Sequence, residues 1–156
     1  MTIYIIEITL KKKLFDAFGN EILHSIKDIG IERIEKVYVY DVYKLCGDID
    51  ISLVRKIGKE LFLDPISQTM KVYRLNSGER CKNPSVEVWY LPGVTDPVAQ
   101  TAMKAIRDMG IKNHLSISCG KKYEFVGEKL SKKTLEIISN KILANTLIHQ
   151  FIIKGI

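Results

Sequence analysis

The 156-residue sequence predicts an α+β fold built from two tandem repeats, each with the element order βαββαβ. Three observations predict this fold. A stretch in which apolar and polar residues alternate recurs 80 residues later, an aspartate that begins a helix recurs at the same displacement, and so does a glycine that ends this helix. Alternation is typical of a strand, and a capping aspartate with a closing glycine frames a helix, so the recurrence indicates duplicated units.

The first strand and the first helix of each unit follow from residue spacing. The alternating strand residues are Ile6, Ile8 and Leu10 in the first unit and Val86, Val88 and Tyr90 in the second. Asp16 and Asp96 are placed to cap the helices, and Pro97 falls at the first helical position, where its missing N–H costs nothing. The helical apolar positions are Phe18, Ile22, Ile26 and Ile29, closed by Gly30, and Val98, Ala102, Ile106 and Met109, closed by Gly110.

The remaining elements of each unit also have counterparts. Residues 34–40 and 42–45 predict two strands or one bent strand, with equivalents at 115–119 and 123–126. A second helix carries Val54, Ile57 and Leu61, matched at a displacement of 81 by Leu135, Ile138 and Ile142. Asp50 or Ser52 is expected to cap its first copy and Ser131 its second, and residues 70–73 and 151–153 predict the closing strands.

This element order divides the chain into a first repeat at 1–74, a connector at 75–85 and a second repeat at 86–156. In each repeat it predicts an antiparallel sheet covered on one face by two helices, the ferredoxin-like arrangement. Such small sheets leave an edge or a face open, and pairing them hides it. We therefore expect a pseudo-symmetric intramolecular dimer packed through the sheets.

Composition narrows the class of protein. The chain is 46% hydrophobic and 27% charged, and no apolar run approaches the roughly 20 residues of a membrane helix. The amino terminus lacks the basic and apolar regions of a signal peptide, so a cytoplasmic location is expected. The net charge of +6 comes from short lysine runs that we interpret as solvated, with no nucleic-acid partner and no membrane partner.

The residues that usually carry catalysis form no recognisable constellation. The three histidines, at positions 24, 114 and 149, have no nucleophile or carboxylate at a spacing that forces a dyad. Cys46 and Cys119 fall inside predicted strands, and Cys81 falls in the connector without a motif. The sequence Cys119-Gly120-Lys121-Lys122 lacks the glycine spacing of a phosphate loop and is interpreted as a turn between strands. The tyrosines at positions 38, 40, 43 and 123, with Trp89, are expected to fill a sheet-to-sheet or partner interface.

Three stretches carry a resemblance to a known family. Residues 86–97 (Val-Glu-Val-Trp-Tyr-Leu-Pro-Gly-Val-Thr-Asp-Pro), 118–125 (Ser-Cys-Gly-Lys-Lys-Tyr-Glu-Phe) and 10–19 (Leu-Lys-Lys-Lys-Leu-Phe-Asp-Ala-Phe-Gly) resemble the PurS family. That family is a small subunit of phosphoribosylformylglycinamidine synthase, a glutamine-dependent enzyme of purine biosynthesis. Its Asp-Pro-x-Gly helix start is matched in part, with Ala17 for proline in the first copy and Ala99 for glycine in the second. Residues 41–43, 60–65 and 144–148 resemble elements of the tandem form that begins long, fused synthetases.

The resemblance implies a non-catalytic role. It implies that the chain bridges an ATP-dependent synthetase and a glutaminase and supports ammonia transfer, binds no cofactor itself, and works beside ATP and Mg²⁺ in the assembled enzyme. Homo-oligomers are a further expectation. The residues expected to contact partners are Asp41, Tyr43, Thr95, Asp96, Gly120, Lys121, Lys122 and Tyr123. The alternative is an effector-binding regulatory module of tandem ferredoxin-like type, which would bind an amino acid between paired sheets.

Overall fold

The strands and helices form where the residue spacing places them. The computed structural model describes residues 1–77 and 82–156. Its strands are Thr2–Leu10 (β1), Ile34–Gly47 (β2), Gln68–Arg74 (β3), Ser85–Tyr90 (β4), Leu115–Gly127 (β5) and His149–Lys154 (β6). Its helices are Ala17–Asp28 (α1), Ile51–Ile57 (α2), Pro97–Asp108 (α3) and Lys132–Ile138 (α4). Helices α2 and α4 run directly into the π-helical segments Gly58–Phe62 (π1) and Ser139–Leu143 (π2).

The predicted helix caps are confirmed. The Asp16 and Asp96 side chains accept hydrogen bonds from the backbone N–H groups of Gly19 and Ala99, at 2.8 and 2.9 Å. Helix α2 is capped by Asp50 and not by Ser52, and helix α4 is capped by Ser131. At the other end of α1 and α3, Gly30 and Gly110 adopt φ angles of +90° and +85°, which glycine reaches without the strain of a Cβ atom.

The structure decides between the two strand alternatives and corrects the predicted element order βαββαβ. Residues 34–40 and 42–45 belong to the single strand β2, and 115–119 and 123–126 to the single strand β5, as the one-strand alternative predicts. No proline or turn sequence interrupts the alternation in β2, so nothing breaks the strand there. Each part of the chain therefore contributes three strands in the order βαβαβ, in place of the four-stranded ferredoxin-like unit.

The six strands form one antiparallel sheet in the order β3-β1-β2-β5-β4-β6. We call residues 1–77 the first half and residues 82–156 the second half. The halves join where β2 pairs with β5, from Ile34 opposite Gly127 to Gly47 opposite Leu115. This pairing is edge to edge, and it removes two strand edges that would otherwise present unpaired backbone groups.

Two hydrophobic clusters lie between the sheet and the helices, and each contains a helix from the other half. In the first cluster, Ile22 and Ile26 of α1 pack with second-half residues that include Phe125 and Leu135. In the second cluster, Ile106 of α3 packs with first-half residues that include Leu45. The two halves are thus interlocked. The predicted division at residues 74 and 86 stays a prediction, and Cys81 and part of the 75–85 connector lie outside the described residues.

No helix in the described part of the chain has the length and apolarity that crossing a bilayer requires.

Candidate functional site

A cavity of about 350 Å³ opens on the helix side of the sheet, in the second half. We call it the corner cavity. Strands β2, β4 and β5 form its floor, and α3, π2 and the start of β6 form its walls. Its lining residues are Asp41, Tyr43, Val88, Tyr90, Val98, Cys119, Gly120, Lys121, Tyr123, Leu143 and His149. A volume of this size lies at the small end of ligand pockets, which run from roughly 300 to 1,000 Å³.

Strand register brings the polar residues of the floor together. Tyr43 lies opposite Cys119, Asp41 opposite Lys121, and Val39 opposite Tyr123. Directly opposed residues of an antiparallel pair point to the same face of the sheet, so these side chains share the helix side. Residues far apart in sequence therefore meet at one place because β2 and β5 are neighbours.

An ion pair marks the centre of the β2–β5 pairing. The Lys121 ammonium nitrogen lies 2.7 Å from a carboxylate oxygen of Asp41, and the two side chains are 45% and 42% exposed. The residues are 80 positions apart, which is the displacement between α1 and α3, so the two halves meet at this pair. The same ammonium lies 5.5 Å from the centre of the Phe18 ring at the start of α1.

Asp96 ties helix α3 to the floor of the cavity. One carboxylate oxygen caps α3, and the other accepts a hydrogen bond of 2.9 Å from the backbone N–H of Cys119. A single side chain thus fixes the start of the helix against β5 and places Val98 at the edge of the cavity. Thr95, the preceding residue, is exposed in the turn.

The thiol and two phenols of the floor are held in their neutral forms. Burial raises the pKa of the Cys119 thiol to about 12, with further contributions from Asp96 and Asp41. Burial, reinforced by Asp41, also raises the pKa values of Tyr43 and Tyr123 to about 12. At neutral pH the cavity therefore offers protonated phenols and a thiol, beside a single carboxylate–ammonium pair. A protonated thiol is a poor nucleophile, so this set of groups suits non-covalent recognition.

His149 closes the side of the cavity near β6. Its Nδ1 accepts a hydrogen bond of 3.1 Å from the backbone N–H of Asn145, and its ring lies 5.0 Å from the Tyr90 ring at a tilt of 53°. Because Nδ1 accepts a bond, the neutral imidazole carries its proton on Nε2. The loop at Asn145 thereby orients the ring that forms this wall.

Five of the eight residues expected to contact partners line the cavity: Asp41, Tyr43, Gly120, Lys121 and Tyr123. Asp96 borders it through Cys119, and Thr95 stands in the adjoining turn. Lys122 lies elsewhere, because the next residue along a strand points to the opposite face. Its ammonium is 2.9 Å from the buried carboxylate of Glu7. Whether these residues contact partners stays a prediction.

The opposite face of the sheet carries lysines seated on aromatic rings. Lys44 lies 4.7 Å from the Trp89 ring centre, and Lys36 lies 4.8 Å from that of Tyr38. Trp89 is 6% exposed and Tyr123 is 5% exposed, so these two rings are buried within this chain and do not present the partner interface that they were expected to fill. A broad groove of about 880 Å³ runs across this face.

Sequence reasoning missed the wall residues Val98, Leu143 and His149. Val98 and Leu143 were assigned to helix faces or passed over, although a signal was present. The residue 80 positions before Val98 is Phe18, and the residue 81 positions before Leu143 is Phe62. A loss of side-chain volume at both wall positions predicts extra space in the second half.

The described residues contain no group of three or more histidine, cysteine, aspartate or glutamate side chains that could hold a metal ion.

Residues 83–155 match the family model of PurS, described as phosphoribosylformylglycinamidine (FGAM) synthase. No curated protein matches the chain significantly. The matched residues run from just before β4 through β6 and include most of the cavity lining. The match supports similarity of this part of the chain to the PurS family.

Proposed function

We propose that this chain is a non-catalytic structural component of FGAM synthase, which bridges the ATP-dependent synthetase and the glutaminase and supports ammonia transfer between them. The observation that carries the proposal is the PurS match over residues 83–155. The neutral, hydrogen-bonding character of the corner cavity supports it, because such a surface recognises a partner without acting on it chemically. ATP and Mg²⁺ are bound by the synthetase in this proposal.

We further propose that the chain is a tandem PurS form, with its two halves arranged as a pseudo-symmetric pair. Helix α1 begins at 17 and α3 at 97, a displacement of 80, and the other elements recur at 80 or 81. The strand order reads third, first, second and then second, first, third by position within each half. Asp41, opposite its counterpart Lys121, lies at the point about which the two halves are related.

The functional proposal is tested by reconstitution. The chain is mixed with the synthetase and glutaminase components from the same source, and complex formation is measured by analytical ultracentrifugation. FGAM formation is then assayed with glutamine and, separately, with ammonium as the nitrogen donor. We expect a complex, and glutamine-dependent synthesis that requires this chain while ammonium-dependent synthesis does not. The second assay shows that the synthetase is competent by itself.

Two outcomes would overturn the proposal. One is glutamine-dependent synthesis at the full rate without this chain. The other is stabilisation of the isolated chain by an amino acid at millimolar concentration, combined with no affinity for either component. That result would favour an effector-binding module, because a molecule that binds only the folded state raises its stability.

A further inference from the structure

The corner cavity has a counterpart position in the first half, where two aromatic rings stand. Phe18 takes the place of Val98, and Phe62 takes the place of Leu143. The Phe62 ring stacks on Tyr43, with ring centres 3.9 Å apart and planes within 3° of each other. The Phe18 ring lies beside the Lys121 ammonium, 5.5 Å from its centre. Tyr43 and Lys121 also line the corner cavity, so two aromatic rings of the first half stand beside it.

The second half lacks both rings. Val98 and Leu143 are shorter, and about 350 Å³ lies open beside them. Val98 is 51% exposed at the edge of the cavity, whereas Leu143 is 8% exposed within it. The surrounding frame is the same in both halves, since α1 and α3 begin from equivalent aspartate caps. At the equivalent sequence positions, 80 and 81 residues earlier, the side chains are aromatic rings.

Both residues of the Asp41–Lys121 pair line the space. The Lys121 ammonium, which lies 5.5 Å from the centre of the Phe18 ring, attracts a ring face. One carboxylate oxygen of Asp41 accepts from Lys121, and the other can accept a hydrogen bond from an N–H or O–H group. An occupant matched to this cavity therefore presents an aromatic body together with a donor on its ring.

We propose that the corner cavity receives the indole side chain of a tryptophan from the protein partner, with the indole N–H directed to the Asp41 carboxylate. Tryptophan combines the aromatic area that the space accepts with the single donor that Asp41 requires. Buried aromatic anchors of this kind dominate the binding energy of many interfaces. This inference rests on the proposed function, since it describes how the partner is recognised.

The first test uses small molecules and needs no partner. Indole and toluene are titrated separately into the isotope-labelled chain, and NMR shifts are followed at Val98, Leu143 and Tyr123. We expect indole to perturb these residues and to bind at least several-fold more tightly than toluene, which has no donor. Perturbations located elsewhere, or equal affinity for the two molecules, would overturn the proposal.

Variants that fill the cavity supply the matched controls. Val98→Phe and Leu143→Phe each introduce the residue found at the counterpart position of the first half, and we expect each to weaken indole binding at least tenfold with the melting temperature unchanged or raised. Val98→Ala removes volume at the same site and should retain binding. Ile66→Ala alters an exposed residue of the first half that does not line the cavity, and it should leave indole binding unchanged.

The second test uses the partner proteins and separates the two proposals. If the wild-type chain binds the synthetase or glutaminase component and Val98→Phe binds at least tenfold more weakly, both proposals stand. If Val98→Phe and Leu143→Phe bind the component as tightly as the wild type, the cavity is not the anchor site, while the bridging function stands. If the wild type binds neither component, the bridging function fails, and the anchor proposal fails with it.

Discussion

The two sides of the Asp41–Lys121 pair have the same backbone frame and different side chains. On the first-half side, Phe62 stacks on Tyr43 and Phe18 lies beside the Lys121 ammonium. On the second-half side, the smaller Val98 and Leu143 stand at the edge of an open cavity. Helices α1 and α3 both have 12 residues, and both begin at an aspartate cap, although Asp96 accepts an additional bond from the Cys119 N–H. The main difference between the two places is the side-chain volume at the wall positions. When two halves share their backbone structure, smaller side chains at a few wall positions are enough to open a cavity in one of them.

The two hydrophobic clusters are crosswise: each combines residues of one half with a helix of the other half, so neither half packs its core alone. Helix α1 of the first half lies in the cluster with Phe125, and helix α3 of the second half lies in the cluster with Leu45. Burial of these apolar side chains is the main favourable term in folding. A loss in one half should therefore be felt in a helix of the other.

The largest expected effect comes from truncating the large core residue of each cluster. Phe125→Ala and Leu45→Ala remove fully buried side chains, and each should lower the free energy of unfolding by about 3–5 kcal/mol. Because the clusters are crosswise, Phe125→Ala should raise hydrogen exchange most in α1, and Leu45→Ala most in α3. Chemical denaturation gives the free energies, and hydrogen-exchange mass spectrometry gives the affected helix.

The matched control is Val98→Ala, which truncates a half-exposed residue and should change stability by less than about 1 kcal/mol. Faster exchange confined to helices of the same half as the substitution would contradict the crosswise arrangement.

Much of the local structure followed from the sequence because its causes are local. The aspartate caps depend on a side chain and an N–H group three residues away, and the turn glycines depend on one φ angle. The 80-residue recurrence then gave the order of elements. These signals located Tyr43 and Tyr123 on strands that form the site, and they placed Asp41 between two predicted strand segments.

The rest depends on which strands become neighbours, and no local signal determines that. The pairing of β2 with β5 creates the cavity floor, and the edge-to-edge join makes the cores crosswise. A short stretch that alternates gives the same pattern whether the strand continues or turns, so β2 and β5 were each open to a division into two strands. Val98 was assigned to an apolar helix face because residue spacing shows which side of a helix is apolar and does not show what that side contacts.

Alkaline pH should destabilise the fold through the buried phenols and the buried thiol of the cavity floor. Tyr123 and Cys119 have pKa values raised to about 12 in the folded chain, so folding favours their protonated forms. This contribution is complete below their unfolded pKa values of 10.0 and 9.0, and it is lost as pH rises toward 12. At about 1.4 kcal/mol per pKa unit, the loss attached to Tyr123 is of order 2 kcal/mol.

Urea denaturation between pH 8 and pH 11.5 checks this expectation. Tyr123→Phe keeps the ring and removes the titration, so its stability should fall less steeply above pH 10 than that of the wild type. Tyr43→Phe removes a phenol whose pKa is raised to the same value, and it should flatten the profile to a similar extent. An unchanged slope in Tyr123→Phe would show that the phenol titrates as it does in the unfolded chain.

A smaller difference is expected between the two helix caps. Asp16→Ala removes one capping bond, to Gly19, and should cost about 1 kcal/mol. Asp96→Ala removes the cap to Ala99 and also the bond from the Cys119 N–H, and should cost roughly 1 kcal/mol more. Thermal and chemical denaturation of the two variants measure the difference. Equal losses would mean that the bond to Cys119 adds nothing to stability.

The smallest expected effect on stability comes from the Asp41–Lys121 pair itself. Its side chains are nearly half exposed, so a double-mutant cycle with Asp41→Asn and Lys121→Met should give a coupling energy below about 1 kcal/mol that decreases with salt. The exchange of the two charges, Asp41→Lys with Lys121→Asp, should therefore leave the melting temperature nearly unchanged.

A single substitution, Asp41→Leu, should alter recognition, because it removes the carboxylate acceptor from the corner cavity while Lys121 stays. The preference for indole over toluene should then disappear. NMR titration of this variant with both molecules measures the preference. A retained preference for indole would show that Asp41 does not select the occupant.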